Sequence, residues 1–358
     1  MSLTVVRTTL ADCEQICRKA LTKVGLPATA AGIVAENITS AERDGCASHG
    51  MFRLPGYCES LRNGKINAEA VPVSSFPAPG CVVVDAGGGL SLPARNVGLP
   101  LLVERARSQG VATLVISRAF HFAALWPDVE ALAAKHGLVA FAFLNSKAFV
   151  AHAPGGVKPL YGTNPFAFSC PRLSSDGGLS EEPLVFDQAS AAMARGDMQL
   201  AARSGTPLPP GAALDANGEP TVDAAAGLQG AQLPFGGHKG SSIALMVELL
   251  AASLGGDAFA FEALASDSGD GGPTKHGELI LAIDPGRCGG QGREAFLARV
   301  ETLMTHIEAE ALEAGASGRS LRLPSQRRFQ NRKRTPVEGI EISEDLYQRC
   351  LNLAGDDP

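Results

Sequence analysis

The chain has 358 residues, 45% of them hydrophobic and 19% charged, with a formal net charge of −6. That length can bury a large core in one to three domains, and the composition excludes a disordered polymer. The acidic balance argues against general affinity for nucleic acid or anionic membrane.

The first fifteen residues reach an acid at Asp12 and hold no apolar run of signal-peptide length. Residues 9–24 read as an amphipathic helix with Leu10, Cys17, Leu21 and Val24 on one face. Thr9 caps it, and Gly25 and Pro27 end it. Thr29 is the expected cap of a second helix reaching about Asp44, stopped by Gly45. A turn, Ser48-His49-Gly50, precedes a third helix over 53–62. A short strand over 82–85 and a helix over 95–108 follow.

From there strands and helices alternate: strand 111–117, helix 126–136, strand 138–145, a glycine- and proline-rich loop, then strands 166–170 and 184–186. A long helix over 239–254, a strand over 278–283, a helix over 293–314 and a short helix over 344–353 complete the pattern. It is that of an α/β protein. Residues 266–272 read as a surface loop with too little apolar content to pack. The most apolar helical run, 243–254, contains Glu248 and is too short to span a bilayer. No internal repeat occurs. The eight cysteines form no CxxC pair and read as reduced thiols of a cytoplasmic protein. Histidines show no HxH, HxxxH or HExxH spacing, so no metal site is expected.

A Rossmann turn needs GxGxxG between strand and helix. Here Gly87 and Gly89 follow a strand, but position 92 is leucine. A Walker loop is also absent, because Gly240 follows Lys239 where Ser or Thr is required. A nicotinamide dinucleotide, if bound, therefore uses another scaffold.

Several residue groups can still do chemistry. His49 sits in a small-residue turn after a helix end, where it can trade protons or simply bond to backbone. Ser48 can orient it. Arg53 can grip a carboxylate with two parallel hydrogen bonds or can be a solvated arginine. Asp187 lies near a strand end. Asp197, after Arg195-Gly196, can face a cationic nitrogen, cap a helix or pair with Arg195. Gly236-Gly237-His238-Lys239-Gly240 precedes an apolar helix and can cradle an anion. Thr163, in Gly162-Thr163-Asn164-Pro165, can hydrogen-bond a small ligand. Seven basic residues and no acid lie within 319–334, which suits a phosphate pocket or a nucleic-acid patch.

Taken together, these segments resemble the malate/L-lactate dehydrogenase family that does not use a Rossmann fold. The resemblance spans about residues 8–330. It rests on Arg43-Asp44-Gly45-Cys46-Ala47-Ser48-His49-Gly50, Asn145-Ser146, Gly162-Thr163-Asn164-Pro165, Asp187 with Ala194-Arg195-Gly196, 213–221, and Leu233 to Gly240. Within the family, His121-Phe122-Ala123-Ala124-Leu125-Trp126 and the acid at Asp197 are most similar to the Δ1-piperideine-2-carboxylate/Δ1-pyrroline-2-carboxylate reductases. Members reducing 2-oxo acids commonly carry lysine where Asp197 stands. The sequence departs from the family at Ala47, Gln188-Ala189-Ser190 and Pro324-Ser325-Gln326.

The resemblance implies a mixed, largely antiparallel, non-Rossmann cofactor domain over 116–290. It would be inserted between a helical, substrate-facing region (1–115) and C-terminal helices (291–358) that pack back on it. It implies NADPH-dependent reduction of cyclic imino acids to L-pipecolate and L-proline, with NADH as a weaker cofactor. The alternative is a 2-oxo-acid reductase. Ser48, His49 and Asp197 would be catalytic, and Arg53 and Thr163 would bind substrate. The dinucleotide would be held by His121, Phe122, Ala123, Ala124, Leu125, Asp187, Gln188, Ala189, His238, Lys239, Arg322, Leu323, Pro324, Ser325, Gln326, Arg327 and Arg328. A homodimer is implied, with neither nucleic acid nor membrane as partner.

Overall fold

Pairing of two long β-branched runs sets the centre of the molecule. Val111–His121 lies antiparallel to Thr274–Ile283, with Val111 opposite Ile283 and His121 opposite Thr274. The computed structural model describes residues 4–316 and 321–355. Around the central pair a seven-stranded sheet runs in the order Val73–Ala78, Cys81–Asp85, Val111–His121, Thr274–Ile283, Val139–Leu144, Phe166–Cys170, Leu184–Gln188. The pairing of Cys81–Asp85 with Val111–His121 is parallel, and the other five are antiparallel. The expected mixed, largely antiparallel sheet is what forms.

Strand periodicity explains why both faces are covered. Leu114 and Ile116 pack with Leu102 and Leu132 of the helices Ser91–Gln109 and Trp126–His136. Val115, pointing the other way, packs with Val247 and Ala251. Those belong to the helix His238–Val247 and its π-helical continuation Glu248–Ser253. The single helix expected over 239–254 thus changes winding midway.

A second layer joins the chain ends. Val5–Thr8 pairs antiparallel with Ile340–Ser343. The helices Leu10–Lys23, Ala28–Arg43, Leu54–Arg62 and Glu344–Ala354 share a core that includes Ile16, Leu21, Ile38, Tyr57 and Cys350. Thr9 caps its helix, accepting the Asp12 amide at 3.0 Å. Thr29 does not cap the next one: that helix starts at Ala28 behind Pro27, whose fixed φ already suits a helix start. Residue 115, expected as the end of the N-terminal region, lies inside the strand Val111–His121.

The loop over 266–272 lies at the surface, as expected, and is held there by polar contacts. Asp270 accepts from Ser60 Oγ at 2.6 Å and Lys65 Nζ at 2.8 Å, and Asp267 pairs with Lys147. Gly272 lies so close to the helix Leu54–Arg62 that a Cβ there would stand 2.5 Å from the Gly56 carbonyl oxygen. Ion pairs and backbone approach dock this loop where apolar burial cannot.

Candidate active site

Strand ends collect at one edge of the large sheet: His121, Thr274, Leu144, Phe166 and Gln188 all lie there. Two cavities meet beyond them. The inner pocket, about 390 Å³, is lined by His49, Phe52, Arg53, His121, Phe122, Ser146, Phe149, Thr163, Arg195, Arg203, Gly272 and His276, among others. The outer groove, about 1010 Å³, runs past Ser48, Ala124, Leu125, Trp126, Asp187, Gln188, Ala189, Asp197, Arg322 and Arg327. His49, Arg53, Ala123, Thr163, Pro165, Arg195 and Gly196 line both, so they form the junction.

The turn carrying Ser48 and His49 is held from behind. Buried Glu42 accepts the Met51 amide at 2.7 Å. Gly50 packs on that carboxylate, where a Cβ would stand 2.1 Å from Glu42 Oε1. Desolvation pushes Glu42 up to about 7. Ser48 Oγ lies 3.3 Å from His49 Nδ1. Burial, with the Arg53 charge second, pushes His49 down to about 3. Arg53 donates through Nε to the Ser48 carbonyl at 2.7 Å, and its guanidinium sits 4.2 Å from the Phe122 ring centroid.

Arg195 is the residue that sequence reasoning undervalued. It does not pair with Asp197. Its Nη2 donates to the Leu228 carbonyl at 3.1 Å and its guanidinium lies over the Phe149 ring at 4.4 Å. Buried Nε and Nη1 have no partner among the described residues. Its place just before a glycine at the start of the helix Arg195–Ser204 was the available signal. Asp197 is exposed on the same first turn and lines the groove, not the inner pocket.

Thr163 is fixed by its neighbours: its amide donates to Ser146 Oγ at 3.1 Å, and its carbonyl accepts from the Ser190 amide and hydroxyl. Asn164 holds a left-handed φ of 39° and donates through Nδ2 to Glu248 at 2.8 Å. Asp187 Oδ2 accepts the Leu125 and Trp126 amides at 2.8 and 3.0 Å, at the start of the helix Trp126–His136. A carboxylate there suits the exposed N–H groups. Burial nonetheless raises Asp187 to about 6, against those two hydrogen bonds.

The 121–125 segment divides. His121 and Phe122 line the inner pocket, Ala123 the junction, and Ala124 and Leu125 the groove. Arg322, Leu323, Pro324, Ser325, Arg327 and Arg328 line the far end of the groove. Ser325 takes a left-handed φ of 65° and is tied to the Val185 carbonyl and to Arg328. His238 and Lys239 are exposed at the start of their helix and line neither cavity, and neither does Gln326. The basic run is largely committed internally: Arg328 and Arg332 bind Asp44 and Glu130, Lys333 pairs with Glu182, and Arg334 with Glu338. Arg322 and Arg327 make no ion pair among the described residues, so their charge is available to an anion.

An extended groove with unpaired cations at one end, opening onto a small cationic pocket, fits a dinucleotide laid beside a small acid. Built on a sheet without a Rossmann turn, it defines an oxidoreductase of the non-Rossmann dehydrogenase class. The chain belongs to the malate/L-lactate dehydrogenase family, whose model matches residues 8–350. It is 47% identical over 349 residues to the Delta(1)-pyrroline-2-carboxylate/Delta(1)-piperideine-2-carboxylate reductase of Pseudomonas aeruginosa, covering 98% of this chain and 99% of that one. A Delta(1)-pyrroline-2-carboxylate reductase of Pseudomonas fluorescens is also 47% identical, over 95% of this chain and 97% of its own. The crystal structure of delta1-piperideine-2-carboxylate reductase from Pseudomonas syringae matches with a TM-score of 0.87 and 41% identity, covering 97% and 99% of the two chains.

Proposed function

We propose that the protein is an NADPH-dependent reductase of cyclic 2-imino carboxylates, converting Δ1-piperideine-2-carboxylate to L-pipecolate and Δ1-pyrroline-2-carboxylate to L-proline. The observation that carries this reading is the junction: Arg53 and Arg195 bring two guanidinium groups to the place where pocket and groove meet, beside His49. Its likeness to reductases of that name supports the substrate class.

The groove residues Ala123 to Leu125, Asp187 to Ala189, Arg322 to Ser325, Arg327 and Arg328 hold the dinucleotide, which supplies the hydride when bound. Arg322 and Arg327 are the residues placed to take an extra phosphate. Arg53 and Arg195 fix the substrate carboxylate, and Thr163 orients the ring. Asp197 offsets the positive charge of the protonated ring nitrogen, as carboxylates do for a developing cation. His49, oriented by Ser48, holds a proton next to that nitrogen. A substrate carboxylate on Arg53 removes one of the two causes that depress His49, so substrate entry favours the proton it needs.

The deciding experiment follows NADPH oxidation with Δ1-pyrroline-2-carboxylate and Δ1-piperideine-2-carboxylate against pyruvate and oxaloacetate. Turnover confined to the 2-oxo acids would replace this reading with a 2-oxo-acid reductase. Asp197→Ala should lose imine reduction while remaining folded.

The protein is further proposed to be a cytoplasmic homodimer. Leu245, Leu249, Leu254 and Phe261 are 44%, 51%, 61% and 50% exposed, an apolar face that a second copy would cover. Light scattering of the purified protein tests it. All eight cysteines are free, which suits a reducing compartment. No described helix is long and apolar enough to cross a membrane.

A further inference from the structure

Behind the inner pocket lies a polar cluster that the mechanism above does not use. His121 and His276 form part of the pocket lining and are 4% and 2% exposed. Beneath them Asp128 and Glu278 are 0% and 1% exposed. One nitrogen of His121 and one oxygen each of Asp128 and Glu278 lie within 4.8 Å of one another. Asp128 Oδ2, both Glu278 oxygens, His121 Nε2 and His276 Nδ1 have no hydrogen-bond partner among the described residues. The cluster's one fixed cation is Arg95, which donates to Asp128 Oδ1 at 2.6 Å from the helix Ser91–Gln109.

Charge balance restricts what this cluster can hold. Two ionised carboxylates against one guanidinium would leave a net negative charge in a dry interior, at a cost of several kcal/mol. Two unpaired oxygens side by side would add the cost of unmade hydrogen bonds. A single proton between the two acids removes both penalties. A divalent cation would also satisfy the oxygens, but it would stand against the Arg95 guanidinium already bound to Asp128. Burial pushes both acids up, and the Asp128 charge raises Glu278 further; burial, aided by His276, Arg95, His49 and Arg53, pushes His121 well down. The favoured resting place of a proton is therefore between the carboxyl groups and not on the imidazole.

We propose that Asp128 and Glu278 share one proton and exchange it with the inner pocket through His121, making the pair the proton store of the reduction. In the forward direction a hydride bond forms at the imine carbon and the C=N π pair moves to nitrogen. The nitrogen takes the proton held at His49, and the shared proton of the pair, passed into the pocket through His121, restores the one His49 gave up. A solvent proton restores the pair after product leaves. Asp128 and Glu278 do not touch substrate and act through His121, so they are positioning and supply residues. The destination of the proton rests on the reductase reading; the shared proton does not.

The test uses infrared spectroscopy and kinetics on Glu278→Gln, which keeps shape and removes the acid. At neutral pH the wild-type minus E278Q difference spectrum of ligand-free protein should contain the carbonyl stretch of a protonated carboxylic acid. The difference removes the contributions of Glu42, Asp187 and Glu248. kcat for the cyclic imine should fall by at least about tenfold with KM changed less than about twofold. Asp128→Asn carries the same two readings should E278Q fail to fold. The inference is overturned by a difference spectrum without that band, by an unchanged kcat, or by a stoichiometric metal ion in wild type that E278Q loses. Wild-type protein inactive on every cyclic imine defeats the reductase reading instead and leaves the infrared result standing.

Discussion

Arg195 sits over the Phe149 ring at 4.4 Å and uses a single N–H on protein, donated to the Leu228 carbonyl. Its buried Nε and Nη1 have no partner among the described residues, and an anion would satisfy them. Burial lowers the guanidinium to about 10, which still leaves it charged at neutral pH. Arg195→Lys keeps a charge but loses the planar fork and the stacking. The loss of one charge-assisted pair predicts a KM for imino-carboxylate substrates raised on the order of tenfold or more, with kcat less affected. Steady-state kinetics on both parameters checks it. An equal fall in kcat at constant KM would show that Arg195 acts in the transition state and not in carboxylate binding.

How much of this site could be read beforehand follows the range of the interactions. Periodicity exposed the strand 166–170 and the helix 126–136 almost to the residue, because a covered face imposes its repeat on local sequence. Ser48-His49 was legible as a turn after a helix stop. Its support was not, since Glu42 reaches forward nine positions to the Met51 amide. The docking of Asp270 on Lys65 spans 205 positions, and no local pattern encodes it. His121, Asp128 and Glu278 have no metal or catalytic spacing: antiparallel pairing brings the strands of His121 and Glu278 together, and Asp128 joins them from the helix Trp126–His136. At 236–240, Gly236 and Gly237 take left-handed φ values of 55° and 63° in the turn into the helix His238–Val247, a conformation glycine permits.

His276 is 2% exposed and burial pushes its pKa down to about 4 from 6.5. The folded protein therefore binds fewer protons here than the unfolded chain between those values. The associated stability is present above pH 6.5 and is lost as pH falls through 4, on the order of 3 kcal/mol. His276→Gln, neutral at every pH, removes that dependence. Urea unfolding at pH 7.5 and at pH 4 should show the variant gaining on wild type at the acid end. A constant difference between the two proteins would mean that His276 does not charge on unfolding.

The opposite sign holds for Glu42, raised to about 7 from 4.5 by desolvation. Its contribution is present below pH 4.5 and is lost as pH rises through 7, again on the order of 3 kcal/mol. Glu42→Gln keeps an acceptor for the Met51 amide and cannot ionise. Its stability relative to wild type should therefore increase between pH 4.5 and pH 8. Thermal unfolding across that range measures it, and a flat difference would place the ionisation elsewhere.

Asp44 ties the groove's far wall to the helix Ala28–Arg43. Its side chain is 0% exposed and receives Arg43 Nε at 2.9 Å, Arg332 Nε at 3.0 Å and Arg328 Nη1 at 3.3 Å. Glu130 takes Arg328 at 2.9 Å and Arg332 at 2.5 Å from the other side. Desolvation is the largest single influence on Asp44 and pushes its pKa up, but the hydrogen bonds and charges of Arg332 and Arg43 together outweigh it and hold the pKa below its ordinary value. Removing one partner from a buried ionic cluster leaves the rest uncompensated, so Asp44→Asn should cost about 3–5 kcal/mol. It should also disturb Arg328, which stands 4.8 Å over Trp126, the chain's single tryptophan. Trp126 lines the groove, so its fluorescence reports on the ligand-free wall and, under the proposed function, on dinucleotide binding. The expected result for D44N is a shifted Trp126 emission and weaker NADPH affinity in a protein that still folds. Unchanged emission with unchanged affinity would mean that Glu130 alone positions Arg328.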